Sequence, residues 1–477
     1  MGKRTRMRGT RWDRAVVVGG GHAGLVTARV LADHFREVVI LERDAVDETT
    51  GAHPHAPQGY HAHAVLAKGS QVLEALFPGL RAEMEELGAP VFDYGERIDF
   101  LLPAGLAPRC RTGVRVQSFT RAELERRLRR RVMALPGVRL LPSARCEGLV
   151  MGRPGTVSRV KYRVTGAEGA AGGVSGGLAG EAAAGSAGES AELEADLVVD
   201  ASGRSSGLDR WLADLGVPVP GKRVVKAKIT YTSMTFDRPE KNPPDFDVAY
   251  QMMFAPGISR GGVILAVERN RWMCSLFGYG DEAPPTDDEG YLGFARTLDN
   301  AHLAGQIAQR DRPESVHRYV NVNNQWNLYH RSKAWPERLL AVGDSVCVFN
   351  PVYGQGLTVA AMEAELLRDM LTGLRAKGQG LDGLSKRYQG RVARLLVAPW
   401  TLSSNSDLMW NRDGRPLPAR IAHWYNTHLF AVSARDPQVW TRFVGVVNMV
   451  ASPASLFHPA VFRKVVAQAL LHRRSTR

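Results

Sequence analysis

A glycine-rich stretch near the N-terminus constrains the fold more than any other part of the chain. An apolar run, Ala15 to Val18, predicts a buried strand, a helical pattern follows, and a second apolar strand ends at Glu42. Three glycines in Gly-x-Gly-x-x-Gly register lie between the first strand and the helix: Gly19, Gly21 and Gly24. Glycines at this spacing permit a tight turn, a close approach of backbone to a pyrophosphate and close helix–strand packing. With an acidic residue at the ribose-binding position, the stretch predicts a βαβ unit that binds a dinucleotide.

Two later stretches repeat the pattern of a buried strand that ends at a turn of small residues. The first strand ends at Asp200 and continues into Ala201-Ser202-Gly203. This composition is typical of a close backbone approach to a phosphate-bearing ligand. The second strand ends at Gly343-Asp344. Each turn therefore predicts a further contact with the bound ligand.

A loop with several small residues follows the second of these turns. It contains Pro351, Gly354 and Gly356, and the two glycines allow the backbone to contact a flat ligand. The spacing of apolar residues then predicts a helix over residues 357–371, closed by Gly373. The dipole of that helix would favour an anionic atom at its N-terminus.

Arg121 stands in the first turn of a predicted helix. Thr120-Arg121-Ala122-Glu123 fits a capping box, and the apolar residues that follow have helical spacing. The helix dipole does not favour a cation in the first turn. Arg121 is therefore either a residue that faces a cofactor phosphate or an ordinary surface arginine, and the sequence favours neither.

Composition narrows the class of protein. The chain has 477 residues and a formal net charge of +14, but no motif of a nucleic-acid module accompanies the charge. The charge therefore favours an anionic cofactor and a solvated surface, and we expect no nucleic-acid partner. The four cysteines are scattered, and no apolar run reaches spanning length, which favours a cytoplasmic protein without a disulfide framework.

Four histidines lie in or just after a proline-rich loop: His53, His55, His61 and His63. Two His-x-His pairs suggest a metal site, but no carboxylate or cysteine stands at ligand spacing, so we expect no metal. The alternative role is a wall or gate beside the cofactor. His61 and His63 are also candidates for proton delivery.

The middle of the chain, from Lys222 to Tyr319, is mostly strand-like and predicts a separate antiparallel sheet. Its aromatic and methionine side chains would suit the wall of an apolar substrate pocket, although each is individually better explained as ordinary core. The candidate substrate-binding residues are Phe254, Trp272 and Phe277, together with Tyr353 from the later glycine loop.

These patterns predict an α/β protein with a discontinuous Rossmann-like domain, an antiparallel-sheet substrate domain and a C-terminal helical region. The expected segments are a disordered basic tail (1–14), a Rossmann-like domain (15–90, 117–220 and 335–376), substrate-domain strands (91–116 and 221–334) and a helical cap (377–477). Residues 166–191 are rich in Gly, Ala and Ser and predict a flexible insertion. The basic amphipathic pattern near the C-terminus suggests contact with a membrane surface, although packing on the protein's own core is the favoured alternative.

Three motifs in this order resemble the flavoprotein monooxygenase superfamily with the para-hydroxybenzoate hydroxylase fold: the Gly19–Gly24 fingerprint, Asp200–Arg204, and Gly343-Asp344 with Pro351. Within it, the Pro57-Gln58-x-x-His-Ala-His and Asn350-Pro-Val-Tyr-Gly stretches look most like bacterial olefin epoxidases of polyether and terpenoid biosynthesis, which are related to squalene epoxidase.

The resemblance implies an FAD site. The fingerprint glycines would bind the pyrophosphate, Glu42 the adenosine ribose, Arg121 the phosphate or ribityl region, and Asp344 the ribityl chain or pyrophosphate. The loop glycines and Pro351 would border the isoalloxazine. The candidate cofactor-binding residues are Gly19, Gly21, Gly24, Glu42, Arg43, Arg121, Asp200, Gly343, Asp344, Pro351, Gly354 and Gly356.

The resemblance also implies the chemistry, in which a flavin hydroperoxide epoxidises or hydroxylates an apolar small molecule with molecular oxygen. One departure concerns the electron donor. Aromatic hydroxylases have Asp-Gly where this chain has Asp200-Ala201, which puts direct NADPH use in doubt and makes a separate flavin reductase an alternative. Three rivals share the fold: a halogenase, although its Trp-x-Trp-x-Ile-Pro motif is absent, a prenyl-chain reductase, and a non-catalytic binder related to GDP-dissociation inhibitors.

Overall fold

The computed structural model describes residues 11–45, 59, 61–63, 65–165, 188–310, 315–320, 323–410 and 415–475. Most of the expected basic tail, most of the Gly/Ala insertion, and His53 and His55 lie outside the described residues. Within the expected tail, the first strand already begins at Trp12, because Trp12 pairs with Phe35 on the neighbouring strand and its ring packs 5.4 Å from the Phe35 ring.

The described strands, in chain order, are β1 (Trp12–Val18), β2 (Phe35–Leu41), β3 (Val91–Asp93), β4 (Ile98–Leu102), β5 (Gly105–Leu106), β6 (Arg115–Gln117), β7 (Val138–Leu141), β8 (Ala144–Arg153), β9 (Thr156–Val164), β10 (Ser190–Glu194), β11 (Leu197–Asp200), β12 (Lys222–Lys226), β13 (Ile229–Asp237), β14 (Val248–Gln251), β15 (Arg260–Val267), β16 (Arg271–Tyr279), β17 (His317–Tyr319), β18 (Asn323–Asn327), β19 (Leu339–Ala341) and β20 (Cys347–Val348).

The described helices are α1 (His22–Ala32), α2 (Ala67–Leu76), α3 (Leu80–Glu86), α4 (Tyr94–Arg97), α5 (Arg121–Met133), α6 (Leu208–Asp214), α7 (Asp288–Arg296), α8 (Ala301–Ala308), α9 (Gly356–Ala376), α10 (Leu384–Leu408), α11 (Leu417–Ser433), α12 (Pro437–Val447) and α13 (Pro459–Ser475). None of the helices among these described residues is long and apolar enough to cross a membrane.

A five-stranded parallel sheet organises the first half of the fold. Its order is β19-β11-β1-β2-β7, and the four strand pairs are all parallel. The apolar runs seen in the sequence form its strands, and residues such as Val16, Val39 and Val198 are completely buried between flanking helices. Because the strands are parallel, the turns that follow β1, β2, β11 and β19 meet at one edge of the sheet.

A seven-stranded sheet forms the second half, in the order β17-β13-β16-β15-β14-β4-β5. Most neighbours are antiparallel, and β4 from the earlier part of the chain pairs with β14 in parallel. One face of this sheet packs against α7 and α8, and the other packs largely against α11, α12 and α13. Both faces are therefore covered, and β16 is buried along almost its whole length.

The long helix α9 corrects the predicted end at Gly373. The helix continues to Ala376, because Leu371 and Leu374 on either side of the glycine pack into the core. Tertiary packing here overrides the low helix propensity of glycine, which costs about 1 kcal/mol relative to alanine.

Candidate functional site

A cavity of about 520 Å³ lies at the edge where the parallel strands end. The turns after β1, β2, β11 and β19 form its walls, together with the N-terminal ends of α1, α5 and α9. The lining includes these predicted cofactor-binding residues: Gly19, Gly21, Glu42, Arg43, Arg121, Gly343, Asp344, Pro351, Gly354 and Gly356. The structure thus brings together residues that are more than three hundred positions apart in the sequence.

The glycine turn after β1 is held by contacts that only glycine allows. Gly19 has φ of +105°, and a Cβ there would lie 2.5 Å from the carbonyl oxygen of Ala201. A Cβ on Gly24 would lie 1.9 Å from the Gly19 carbonyl oxygen. Gly24 does not line the cavity; it lets α1 start directly against the turn. Gly21 faces the cavity with nothing closer than 3.9 Å.

The carboxylate of Glu42 connects two neighbouring turns. One oxygen accepts a hydrogen bond from the Gly20 N–H at 2.6 Å, and the other accepts from the Asp44 N–H at 2.9 Å. The side chain is buried and also lines the cavity. Glu42 therefore fixes the shape of the glycine turn at the position predicted to contact a ribose.

Arg121 and Glu125 form an ion pair inside the cavity wall. The Arg121 guanidinium is 2.8 Å from the Glu125 carboxylate and its side chain is only 16% exposed. The same carboxylate accepts a hydrogen bond from the His22 N–H at the start of α1. Burial raises the pKa of the neighbouring Asp344 carboxyl, and the nearby cations Arg121 and Arg204 oppose that shift. The first-turn arginine is therefore a cavity residue, and Glu125 is a partner that the sequence did not single out.

Gln355, at the N-cap of α9, is a buried polar residue, 1% exposed. Among the residues that the structure describes, neither its amide nitrogen nor its carbonyl oxygen has a hydrogen-bond partner. A buried group left unsatisfied costs about 1–3 kcal/mol. Because Gln355 lines the cavity beside Gly354, which has φ of +62°, a ligand with both a donor and an acceptor at this end would satisfy it.

Asp200, which the sequence predicted as a cofactor contact, is not among the residues that line the cavity. Its carboxylate is completely buried and accepts hydrogen bonds from the Ser202 hydroxyl at 2.5 Å and the Ser206 hydroxyl at 2.6 Å. The acid therefore folds the turn after β11, and the residues that follow it, Ala201 to Ser205, line the cavity.

Two residues of the predicted aromatic substrate wall, Trp272 and Phe277, are buried in this structure. Trp272 is completely buried, with the Arg238 guanidinium 4.4 Å from the centre of its ring and its indole N–H donating to Gln306. Phe277 is also buried, with its ring 5.8 Å from the Tyr231 ring. Both lie on a sheet whose two faces are covered, so their side chains belong to the core.

The other two substrate candidates are half-buried but do not line the cavity either. Phe254 stacks on His423, with ring centres 4.5 Å apart. The Tyr353 hydroxyl donates to the Asp407 carboxylate at 3.1 Å.

Asp407, on α10, anchors the loop that closes the cavity. Its carboxylate accepts hydrogen bonds from Tyr353, from the Asn350 amide at 3.1 Å and from the Asn324 amide at 2.5 Å. Burial raises its pKa to about 6, and these hydrogen bonds oppose the shift. The sequence did not identify this residue, but one signal was present. Asp407 continues a helical stripe of buried residues through Leu396, Trp400 and Ser403.

His61 lies in a chain of buried polar groups behind the cavity. Its Nδ1 is 2.7 Å from the Ser233 hydroxyl, which is 2.5 Å from the Ser275 hydroxyl. Burial lowers the pKa of His61 to about 4, so the ring is neutral at pH 7. Its Nε2 is buried and has no hydrogen-bond partner in the described part of the chain. The ring centre lies 5.4 Å from that of Tyr319, a cavity-lining residue.

His63 lines the cavity directly, and its Nδ1 is 2.8 Å from the His61 carbonyl oxygen. Burial also lowers the pKa of His63, to about 3, so it too is neutral at pH 7. Among the residues that the structure describes, no group of three or more His, Cys, Asp or Glu side chains could hold a metal ion.

Known proteins resemble this chain in sequence or in fold. A family described as "FAD binding domain" matches residues 14–398. Protein Rv3254 of Mycobacterium tuberculosis (strain ATCC 25618 / H37Rv) is 29% identical over 416 residues, which cover 85% of this chain and 82% of that protein. Two solved structures share the fold. The flavin-dependent brominase Bmp2 has a TM-score of 0.63 at 13% identity, covering 96% of this chain and 99% of that chain. PqsL, "a probable FAD-dependent monooxygenase from Pseudomonas aeruginosa", has a TM-score of 0.59 at 16% identity, covering 84% and 98%.

Proposed function

The chain belongs to the FAD-binding domain family, and from that premise we propose that it is an FAD-dependent monooxygenase. In this proposal it epoxidises or hydroxylates an apolar small molecule of polyketide or terpenoid type in secondary metabolism. The observation that carries the proposal is the cavity itself, where separated strand ends meet the buried Arg121–Glu125 pair and the unpartnered Gln355.

The residues of the cavity suit FAD along its length. Gly21 and the start of α1 would hold the pyrophosphate, because a helix N-terminus offers free N–H groups and the positive end of a dipole. Glu42 would hold the adenosine ribose. Arg121 and Asp344 would hold the ribityl region, and Gln355 would hydrogen-bond the flavin ring.

FAD, once bound and reduced, supplies the activation of molecular oxygen that single-atom oxygen transfer requires. The residues of this chain bind and orient FAD and substrate and exclude water. We assign the exclusion of water to the buried apolar residues at the α9 end of the cavity, which are Phe349, Leu357 and Ala360.

The proton positions around His61 suggest one contact to the substrate. The Ser275 hydroxyl accepts from the Ala62 N–H, and among the described residues its own proton has an acceptor only in Ser233. If Ser233 in turn donates to His61 Nδ1, the neutral ring carries its proton on Nε2. His61 does not itself line the cavity, but its ring packs against Tyr319, which does. In this proposal the buried donor would bind a carbonyl or hydroxyl oxygen of a substrate that reaches past the Tyr319 ring.

The electron donor in this proposal is NADPH or NADH, which acts either directly or through a separate flavin reductase. Ala201 stands where aromatic hydroxylases have glycine, and this departure puts direct NADPH use in doubt. The reductase route is therefore the one to test first.

The test is oxidation of NADPH by the purified, FAD-loaded protein, with and without an added flavin reductase, against a panel of polyene and aromatic substrates. The expected product has gained one oxygen atom. We expect His61→Leu to keep its flavin and raise KM for oxygen-bearing substrates, and His61→Gln, which retains an N–H donor, to restore much of the loss. A protein that stays colourless in excess FAD would overturn the proposal.

A flavin-dependent halogenase is the second candidate, because the brominase Bmp2 has the same fold. The same assay in bromide or chloride separates the two functions, since a halogenase product gains a halogen instead of oxygen. A gain of two hydrogens would identify a prenyl-chain reductase. Bound flavin with no turnover on any substrate would favour a non-catalytic binder.

A further inference from the structure

The last three helices form a surface with an unusual charge. Residues 415–477 contain nine Lys and Arg residues and a single acidic residue, Asp436. Asp436 itself pairs with Lys464 on α13. More than half of the chain's net charge of +14 therefore lies in its last 63 residues.

The same segment, residues 415–477, carries most of the exposed large apolar side chains among the described residues. Among the described residues, thirteen large hydrophobic side chains are exposed, and eight of them belong to this segment: Leu417, Ile421, Trp424, Val450, Phe457, Phe462, Leu470 and Leu471. Isolated exposed apolar residues are ordinary, but a concentration of them in one segment indicates an interaction site.

The exposed side chains occupy faces opposite to those that pack on the core. Leu417, Ile421 and Trp424 follow one another at i, i+4 and i+7 along α11, while Leu429 and Phe430 are buried. On α13, Val461 and Val465 are buried and Phe462 is 46% exposed. Each helix is thus bound to the protein by one stripe and leaves a second apolar stripe uncovered.

Ring contacts join the two stripes into one surface. The Tyr425 ring on α11 lies 4.8 Å from the Phe457 ring and 6.4 Å from the Phe462 ring. Further along, the His428 ring lies 5.2 Å from the Trp424 ring and 6.0 Å from the His472 ring. The contact between α11 and α13 therefore places Phe457 and Phe462 beside Tyr425, and His472 beside His428, which also contacts Trp424.

We propose that this surface, formed by α11, the turn at Phe457 and α13, docks on an anionic lipid bilayer. Helices that lie at a membrane interface combine Lys and Arg with Trp, Phe and Leu, as this surface does. Anionic lipid headgroups complement its positive charge. A second copy of the chain would bring two strongly basic surfaces together, which like-charge repulsion opposes. A nucleic acid would match the charge but leave the aliphatic side chains uncovered.

The test is co-sedimentation of the full-length, FAD-loaded protein with vesicles of phosphatidylcholine alone or with about one third phosphatidylglycerol. We expect binding to the anionic vesicles and little to the neutral ones. Each basic residue near the surface contributes about fivefold to partitioning, so Arg420→Gln with Arg463→Gln should weaken binding about twentyfold. Binding should also fall steeply in about 0.5 M salt, because the charges are then screened.

Paired apolar variants test the hydrophobic part of the surface. Ile421→Glu with Trp424→Glu should reduce vesicle binding by about tenfold or more. Leu106→Glu is the control, because Leu106 is 57% exposed on β5 and Ile421 is 58% exposed on α11. It should bind as the unmodified protein does. Only variants that match the unmodified protein in flavin content and melting temperature are compared. A folding defect is then not mistaken for a loss of membrane binding.

Three results would overturn the proposal. Equal binding to neutral and anionic vesicles would remove the electrostatic argument. A concentration-dependent dimer that Ile421→Glu with Trp424→Glu abolishes would identify a second copy as the occupant. Binding to duplex DNA or to RNA that survives the apolar substitutions, without binding to vesicles, would identify a nucleic acid. None of these residues lines the cavity, so each result leaves the proposed oxygenation chemistry standing.

Discussion

The two large β-sheets of this protein relate to its candidate site in different ways. In the parallel sheet the strands are core and the turns at their carboxyl ends form the cavity. In the seven-stranded sheet, Trp272 and Phe277 lie within the strands and are core themselves. The comparison teaches that position at a strand end, more than residue type, indicates a binding residue.

The largest expected effect concerns a residue that was predicted to bind substrate. Trp272→Ala should lower the free energy of unfolding by about 3–5 kcal/mol, because it removes a completely buried ring and leaves a cavity. Chemical denaturation measures the loss. Trp424→Ala, at a 43% exposed position, is the control and should change stability by less than about 0.5 kcal/mol. If Trp272→Ala kept its stability but lost substrate affinity, the contrast between the two sheets would fail.

Gly24→Ala should have the next largest effect. The added Cβ would meet the Gly19 carbonyl oxygen at 1.9 Å, so α1 must move away from the turn. Forced repacking of this kind costs about 1–3 kcal/mol, and we expect FAD occupancy to fall with it. Gly373→Ala is the matched control, since nothing lies within 4 Å of its Cβ position inside α9. It should raise stability by about 0.5–1 kcal/mol and leave the flavin in place.

Asp344→Ala acts on the cavity without disturbing the core. A hydrogen bond to a charged group contributes about 1.5–3 kcal/mol, so loss of the carboxylate should weaken FAD binding about tenfold or more. Flavin fluorescence titration of the apoprotein measures this change. Asp369→Ala, an exposed acid on α9, should bind FAD as before. Full occupancy in Asp344→Ala at limiting FAD would contradict the assignment of this acid to the cavity ligand.

The sequence predicted the parallel sheet and much of the cavity because these depend on local patterns. Apolar runs, glycine spacing and strand-end acids are each visible within a few residues. The sequence could not predict which aromatic side chains of the antiparallel sheet are buried in the core. Whether such a side chain contacts a ligand or α8 depends on packing between elements that are distant in the sequence. Asp200 illustrates the limit, since a strand-end acid can face a ligand or fold its own turn.

Asp407 was missed for the same reason, because its partners Asn350, Asn324 and Tyr353 come from elsewhere in the chain. As pH falls through about 6, its carboxylate takes up a proton and one of its donors loses its acceptor. Because the pKa in the folded protein lies above the ordinary value of 3.8, this protonation stabilises the folded state between pH 6 and pH 4. Weaker FAD binding between pH 6 and pH 4 would therefore reflect a change in the loop that contains Asn350 and Tyr353, and not unfolding of the protein.

The amide of Asp407→Asn resembles the protonated acid at every pH. The variant should therefore bind FAD a few-fold more weakly at pH 7.5, and its FAD affinity should change less between pH 5 and 7.5. Fluorescence titration at several pH values measures both. Asp382→Asn, an exposed acid before α10, is the control and should follow the unmodified protein at every pH. If Asp407→Asn kept the full pH dependence, another titrating group would control the loop. The helical region and the parallel sheet would then be less closely connected through the Asn350 loop than the hydrogen bonds indicate.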